Sequence, residues 1–255
     1  MRNLYFMGIL LSFFLYSCSV NQQIYLNPDG SGRVESSVFL ENFFLTTLND
    51  LTDLENSGPD KQNRLAPETI EAELKLNPYL TDINVESPQK GEYTGSLGFN
   101  HIEELFLSAS SMTTGVQTGA RQGGENILDY QELSPGIHKL SISINDKNFQ
   151  QLFQLFPMLQ DPGFQYFLPD QSISEPEYQE MLFFIFEDVQ GIEERTLRSL
   201  LKSASLDLLI TVEGQILKQE GGQMLNNSTM RISLPLVKLL LHKEDILYSL
   251  TYKSR

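Results

Sequence analysis

Cys18 is the only cysteine in a chain of 255 residues, and its solitude constrains the fold more than any other feature. It closes an N-terminal segment in which Met1-Arg2-Asn3 carries a positive charge and Leu4 to Tyr16 forms an almost unbroken apolar run. Charged start, apolar middle and the small residue Ser17 at the junction follow the order of a secretory signal. At about 13 residues the run is too short for the ~20 that a spanning helix needs. Exported domains often rely on disulfides. A chain with one cysteine cannot close one within itself, so its apolar core must hold the fold alone. Hydrophobic residues at 40%, sixteen Phe among them, are enough to build such a core.

The stretch Leu15-Tyr16-Ser17-Cys18 resembles the lipobox of bacterial lipoproteins, with Tyr16 standing where the tightest form has a small or aliphatic residue. The resemblance implies that residues 1–17 are removed and that Cys18 is acylated and becomes the mature N-terminus. It also implies that residues 18–22 form a tether, and that a domain over 23–255 sits in the cell envelope outside the cytoplasm. Several acyl chains anchor stably where one is marginal, since each buried CH₂ contributes ~0.8 kcal/mol. The formal charge of −15 argues against nucleic acid, which needs Lys and Arg clusters. It equally disfavours electrostatic docking on anionic lipid, so the membrane is expected to be reached through Cys18.

Along the mature chain the patterns alternate between the two periods. Gln23 to Leu26 and Val34 to Leu40 alternate around Asn27-Pro28-Asp29-Gly30-Ser31-Gly32, where Pro presets φ and Gly permits positive φ, and so predict a hairpin. Phe43, Phe44, Leu48 and Leu51 fall at helical spacing, and Pro67 opens a second helix. Strands are predicted over 80–85 and 93–99, and a hairpin over 127–144. A helix capped by Asn145 or Asp146 carries Phe149, Leu152, Phe153 and Phe156. Residues 108–124, rich in Ser, Thr and Gly, read as a mobile loop, and 157–176, with four prolines and three aromatics, as an irregular one. Helices over 177–190 and 196–203 follow, and strands over 206–212, 229–234 and 246–252 close the chain. Strands at both ends with helices between them define an α+β fold, mostly antiparallel, in one domain.

Two of these patterns resemble the LppM-like lipoproteins of the bacterial envelope. One is Tyr25-Leu26-Asn27-Pro28-Asp29-Gly30-Ser31-Gly32-Arg33-Val34 just after the cysteine. The other is Ile210-Thr211-Val212-Glu213-Gly214-Gln215-Ile216 with its following turn and strands. Glu213 stands where that family has proline before the glycine, and the chain has no Trp for the aromatic usual near the penultimate strand. The resemblance covers under a third of the chain. It implies a membrane-tethered α+β domain with an apolar groove and no enzymatic activity, and it transfers no functional residue.

Catalytic and metal motifs are weak. His101, His138 and His242 have no His or Cys neighbour at metal-ligand spacing, no Gly-x-Ser-x-Gly elbow is present, and no Walker loop exists. Asn27 to Gly32 has alternate oxygen donors but no downstream Glu of a calcium loop, so it reads as a turn. Glu187-Asp188 and Glu193-Glu194 read as solvated helix surface. No cofactor and no metal are expected. The aromatic clusters carry the remaining signal. A pocket for an apolar or lipid-like ligand is expected among Phe153, Phe156, Phe164, Phe167, Phe183 and Phe186, with Phe164 and Phe167 in the proline-bracketed loop as its lip. A structural or assembly role through protein contacts is the alternative, and an envelope hydrolase a third.

Overall fold

The computed structural model describes residues 19–55, 66–106, 126–149, 152, 166–169, 172–186 and 193–255. Cys18, the expected loop over 108–124, and Phe153, Phe156 and Phe164 lie outside these residues. Among the described residues there are eleven strands and five α-helices, in an α+β arrangement with strands at both ends.

Seven strands form one sheet in the order β3-β4-β2-β1-β7-β10-β9, and four form another in the order β5-β6-β11-β8. In the first, β1 (Ser19–Leu26) pairs antiparallel with β2 (Gly32–Phe39) and parallel with β7 (Ser205–Val212). Beyond β2 lie β4 (Glu92–Phe99) and β3 (Leu80–Gln89). Beyond β7 lie β10 (Thr229–Pro235) and the edge strand β9 (Gln223–Asn226). The second sheet holds β5 (Leu128–Ser134), β6 (Ile137–Ile144), β11 (Ile246–Ser254) and β8 (Gly214–Glu220). Alternation explains the packing: Ile24 and Leu26, Ile210 and Val212, Ile232 and Leu234 are all buried on the face turned to the other sheet.

The helices are α1 (Asn42–Glu55), α2 (Pro67–Leu74), α3 (Glu175–Phe186), α4 (Glu194–Ser203) and α5 (Leu236–Leu241). Three of them join the large sheet at one end. Ser19 pairs with Phe39, after which α1 begins; Ser19 also pairs with Ser205, which α4 precedes; and Ser205 pairs with Pro235, after which α5 begins. A helical layer therefore sits at the end of the sheet where β1 starts, with its own core of Phe43, Leu48, Phe167, Tyr178, Phe186 and Leu197.

The opposite end is closed by the first hairpin turn. Asp29 Oδ1 accepts from Ser31 N at 2.9 Å and Ser31 Oγ at 2.6 Å, and Gly30 takes φ +84° where a Cβ would meet the His101 ring at 2.8 Å. From the small sheet, Tyr130 Oη donates to Pro28 O at 2.8 Å, and Tyr252 Oη lies 2.7 Å from Tyr130 Oη. Burial, and then the hydrogen bond with Tyr130, push the Tyr252 phenol far up from its ordinary value. The two sheets are thus clasped by neutral hydroxyls at this end.

Several boundaries differ from the sequence expectation. The first strand begins at Ser19, so residues 19–22, expected as a tether, are part of the sheet: β2 and β7 supply hydrogen-bonding partners on both sides from the first residue onward. Of the bends expected at Gly214 and Gly221-Gly222, the first opens a further strand, β8, and the second separates it from another, β9. The short apolar run after Pro235 is a helix, ended by His242 in the left-handed region.

Candidate ligand cavity between the sheets

The inner face of the large sheet is a set of rungs, each crossing the strands in register. One rung reads Leu97, Val34, Ile24, Ile210, Met230 from β4 to β10, and every side chain on it is apolar. Two residues toward the helical layer, the next reads Val85, Gly95, Ser36, Gln22, Leu208, Ile232 from β3 to β10. Beyond that comes Tyr93, Val38, Val20, Leu206, Leu234. Only the middle rung contains Gly, Ser and Gln where its neighbours have Leu, Val and Ile. Gly95 and Ser36 are smaller than their counterparts on either side, and a cavity of about 220 Å³ is lined by all six residues of that rung together with residues of both neighbouring rungs.

The small sheet roofs the cavity with Leu128, Ile142, Ile144 and Tyr248, and α2 contributes Ile70 and Leu74. No Asp, Glu, Lys, Arg or His is among the lining residues. Lining exposure is graded. Ile24, Val34 and Ile142 are buried, whereas Gln22, Ser36, Val38 and Tyr93 are half-buried. Gln22 and Ser36 face each other across β1 and β2, and neither side chain has a hydrogen-bond partner among the described residues.

Of the aromatic residues expected to form a pocket, the three that are described, Phe167, Phe183 and Phe186, lie in the helical layer. Phe167 and Phe186 are each 2% exposed in the helical layer, stacked with ring centroids 5.4 Å apart. Phe43 meets Phe186 edge-on at 5.1 Å, and Phe44 lies 5.3 Å from Phe167. Tyr178 Oη donates to Phe167 O at 2.6 Å, which fixes the loop against α3. Phe183 is half-buried under the Arg198 guanidinium at 4.2 Å. None of Phe167, Phe183 and Phe186 lines the cavity. The residues that do define it, Gln22, Ser36 and Gly95, carry a signal in sequence only once the register of β1, β2 and β4 is known.

The histidines are spread. His138 stacks on Tyr252 at 5.1 Å beside the clasp, His101 meets Tyr130 edge-on, and His242 stacks on Phe149 at 4.8 Å. Among the described residues no three His, Cys, Asp or Glu side chains gather as a metal site.

Fold and cavity together define a class: a two-sheet α+β domain with an uncharged, mostly aliphatic hollow between its sheets. No protein-family model matches the chain, and no curated protein matches it. Among solved structures it is similar to the folded domain of LppM from Mycobacterium tuberculosis, determined by NMR. That likeness has 11% sequence identity and a TM-score of 0.36, and covers 94% of this chain and 91% of that one. No helix among the described residues is long and apolar enough to cross a membrane.

Proposed function

We propose that the protein is an envelope lipoprotein, anchored through acylated Cys18, that holds an apolar or lipid-like ligand between its two sheets and acts by binding rather than catalysis. The observation that carries this reading is the uncharged cavity of about 220 Å³. The hollow is partly open, with Gln22, Ser36, Val38 and Tyr93 half-buried, and its aliphatic walls present apolar surface. Water inside finds polar partners at Gln22 and Ser36 but few along the aliphatic walls. An apolar ligand covers that surface, at ~25 cal/mol per Å² of apolar area removed from water.

The anchor also sets an orientation. With β1 starting at Ser19, acylation of Cys18 would hold the helical layer against the bilayer without a spacer. Phe184 on α3, 70% exposed, lies in that layer and suits a membrane interface. A second reading, contact with another envelope protein, is favoured by β9, an edge strand exposed along its length that presents Met224 and Leu225.

Native mass spectrometry of protein extracted from its own host tests the proposal. The expected spectrum shows acyl mass on Cys18 and a non-covalent lipid-sized adduct that Ser36→Phe removes. An unacylated chain contradicts the anchor, and a chain without adduct contradicts the cavity.

A further inference from the structure

We infer that the cavity selects an uncharged amphiphile, an acyl chain whose ester, amide or hydroxyl group lies against Gln22 and Ser36. This rests on the binding reading above and narrows the class of ligand. Gln22 and Ser36 stand beside Gly95 on one rung, so a ligand that fills the hollow at that rung lies against both side chains. The Gln22 amide offers a donor and an acceptor, and the Ser36 hydroxyl both roles at once. A group with a carbonyl or hydroxyl oxygen pairs with them. A bare hydrocarbon would displace their water and leave them unpaired as the walls close round it.

Charge is excluded by the same walls. A carboxylate or phosphate taken between the sheets needs a cation or several donors to offset its desolvation. The lining offers no Lys, Arg or His, and the net charge of −15 repels anions at longer range. An anionic headgroup would have to stay outside while its chain enters. A neutral ester, amide or alcohol carries no such penalty and can follow its chain into the hollow. The aliphatic rungs on either side, Val34 with Ile24 and Val38 with Leu206, then flank the chain as it runs along the sheet.

The test offers the full-length, acylated protein methyl palmitate, hexadecanol, hexadecane and palmitate at equal concentration, and reads each complex by native mass spectrometry. The ester and the alcohol are expected to bind at least about tenfold better than hexadecane or palmitate, the ratio that one unpaired buried polar group commands. In the double variant Gln22→Leu, Ser36→Ala, ester and hydrocarbon should bind alike, while Ser36→Phe should lose all four. Palmitate or hexadecane binding as well as the ester, with Ser36→Phe still abolishing both, overturns the selection for a neutral polar group and leaves the cavity reading intact. Binding that survives Ser36→Phe, or no binding to the wild-type chain, overturns the cavity reading itself.

Discussion

The helical layer and the space between the sheets are both apolar, yet one is knit by aromatic ring contacts and the other holds a cavity. In the helical layer, rings of Phe43, Phe44, Phe167 and Phe186 meet at 5.1–6.0 Å in edge-on, tilted and stacked pairs, and fill the volume between α1, α3 and the Phe167 turn. Between the sheets, aliphatic rungs are interrupted by one with Gly95, Ser36 and Gln22, and the gap stays open. Aromatic abundance therefore does not locate a ligand site here. Large rings on convergent helices interlock, whereas a sheet holds its strands at a fixed spacing whatever side chains stand on them, so a small residue leaves a void that cannot collapse.

Truncation in the helical layer should cost most. Phe186→Ala is expected to lower stability by ~3–5 kcal/mol in chemical denaturation without altering lipid binding. A cost near 1 kcal/mol would mean that the layer is looser than its ring contacts indicate. Adding volume sharpens the contrast between neighbouring rungs. Ile210→Phe, in the first rung at a fully buried position that does not line the cavity, should destabilise by ~1–3 kcal/mol. Ser36→Phe, on the cavity wall in the next rung, should leave stability within ~1 kcal/mol of wild type because the ring enters existing space. Equal losses for the two variants would erase the distinction between the rungs.

The clasp that closes the far end supplies a pH test. Tyr252→Phe removes the 2.7 Å contact with Tyr130 and should cost ~1 kcal/mol. Burial and the Tyr130 hydrogen bond raise the folded-state value of Tyr252 above its ordinary 10. Its contribution is therefore complete below pH 10 and lost as pH rises beyond it. Alkaline unfolding monitored by circular dichroism should be less steep in the variant. The smallest effect is at Asp29. Hydrogen bonds from the Ser31 side chain and backbone hold its carboxyl below the ordinary 3.8, so its contribution is present above that pH and fades as pH falls further. Because this turn is exposed, Asp29→Ala should cost only ~0.5 kcal/mol.

The α+β class, the first hairpin and its turn chemistry, and the helix and strand alternation were legible from periodicity, because each is a local pattern. The two strands between Gly214 and Asn226 were not, since Gly214 and Gly221-Gly222 read as bends, β8 finds its ladder partner far along the chain on β11, and β9 is a four-residue exposed strand with no alternation of burial, although its partner β10 follows directly. The cavity was illegible for the same reason. Ser36 looks like one more residue in an alternating strand, and only its alignment with Gln22 and Gly95, 59 residues further on, turns it into a hollow. The sequence expectation of a pocket followed the phenylalanines. Phe167 and Phe186 instead complete a core, as rings at helical spacing do when several helices converge on them.

A paramagnetic ligand tests the central claim most directly. With methyl palmitate carrying a nitroxide on its chain, added to methyl-labelled protein, the account predicts stronger broadening of the Val38, Leu208 and Ile144 methyl resonances than of those of Leu197, Val237 and Leu241 in the helical layer. Broadening confined to the helical layer would contradict it.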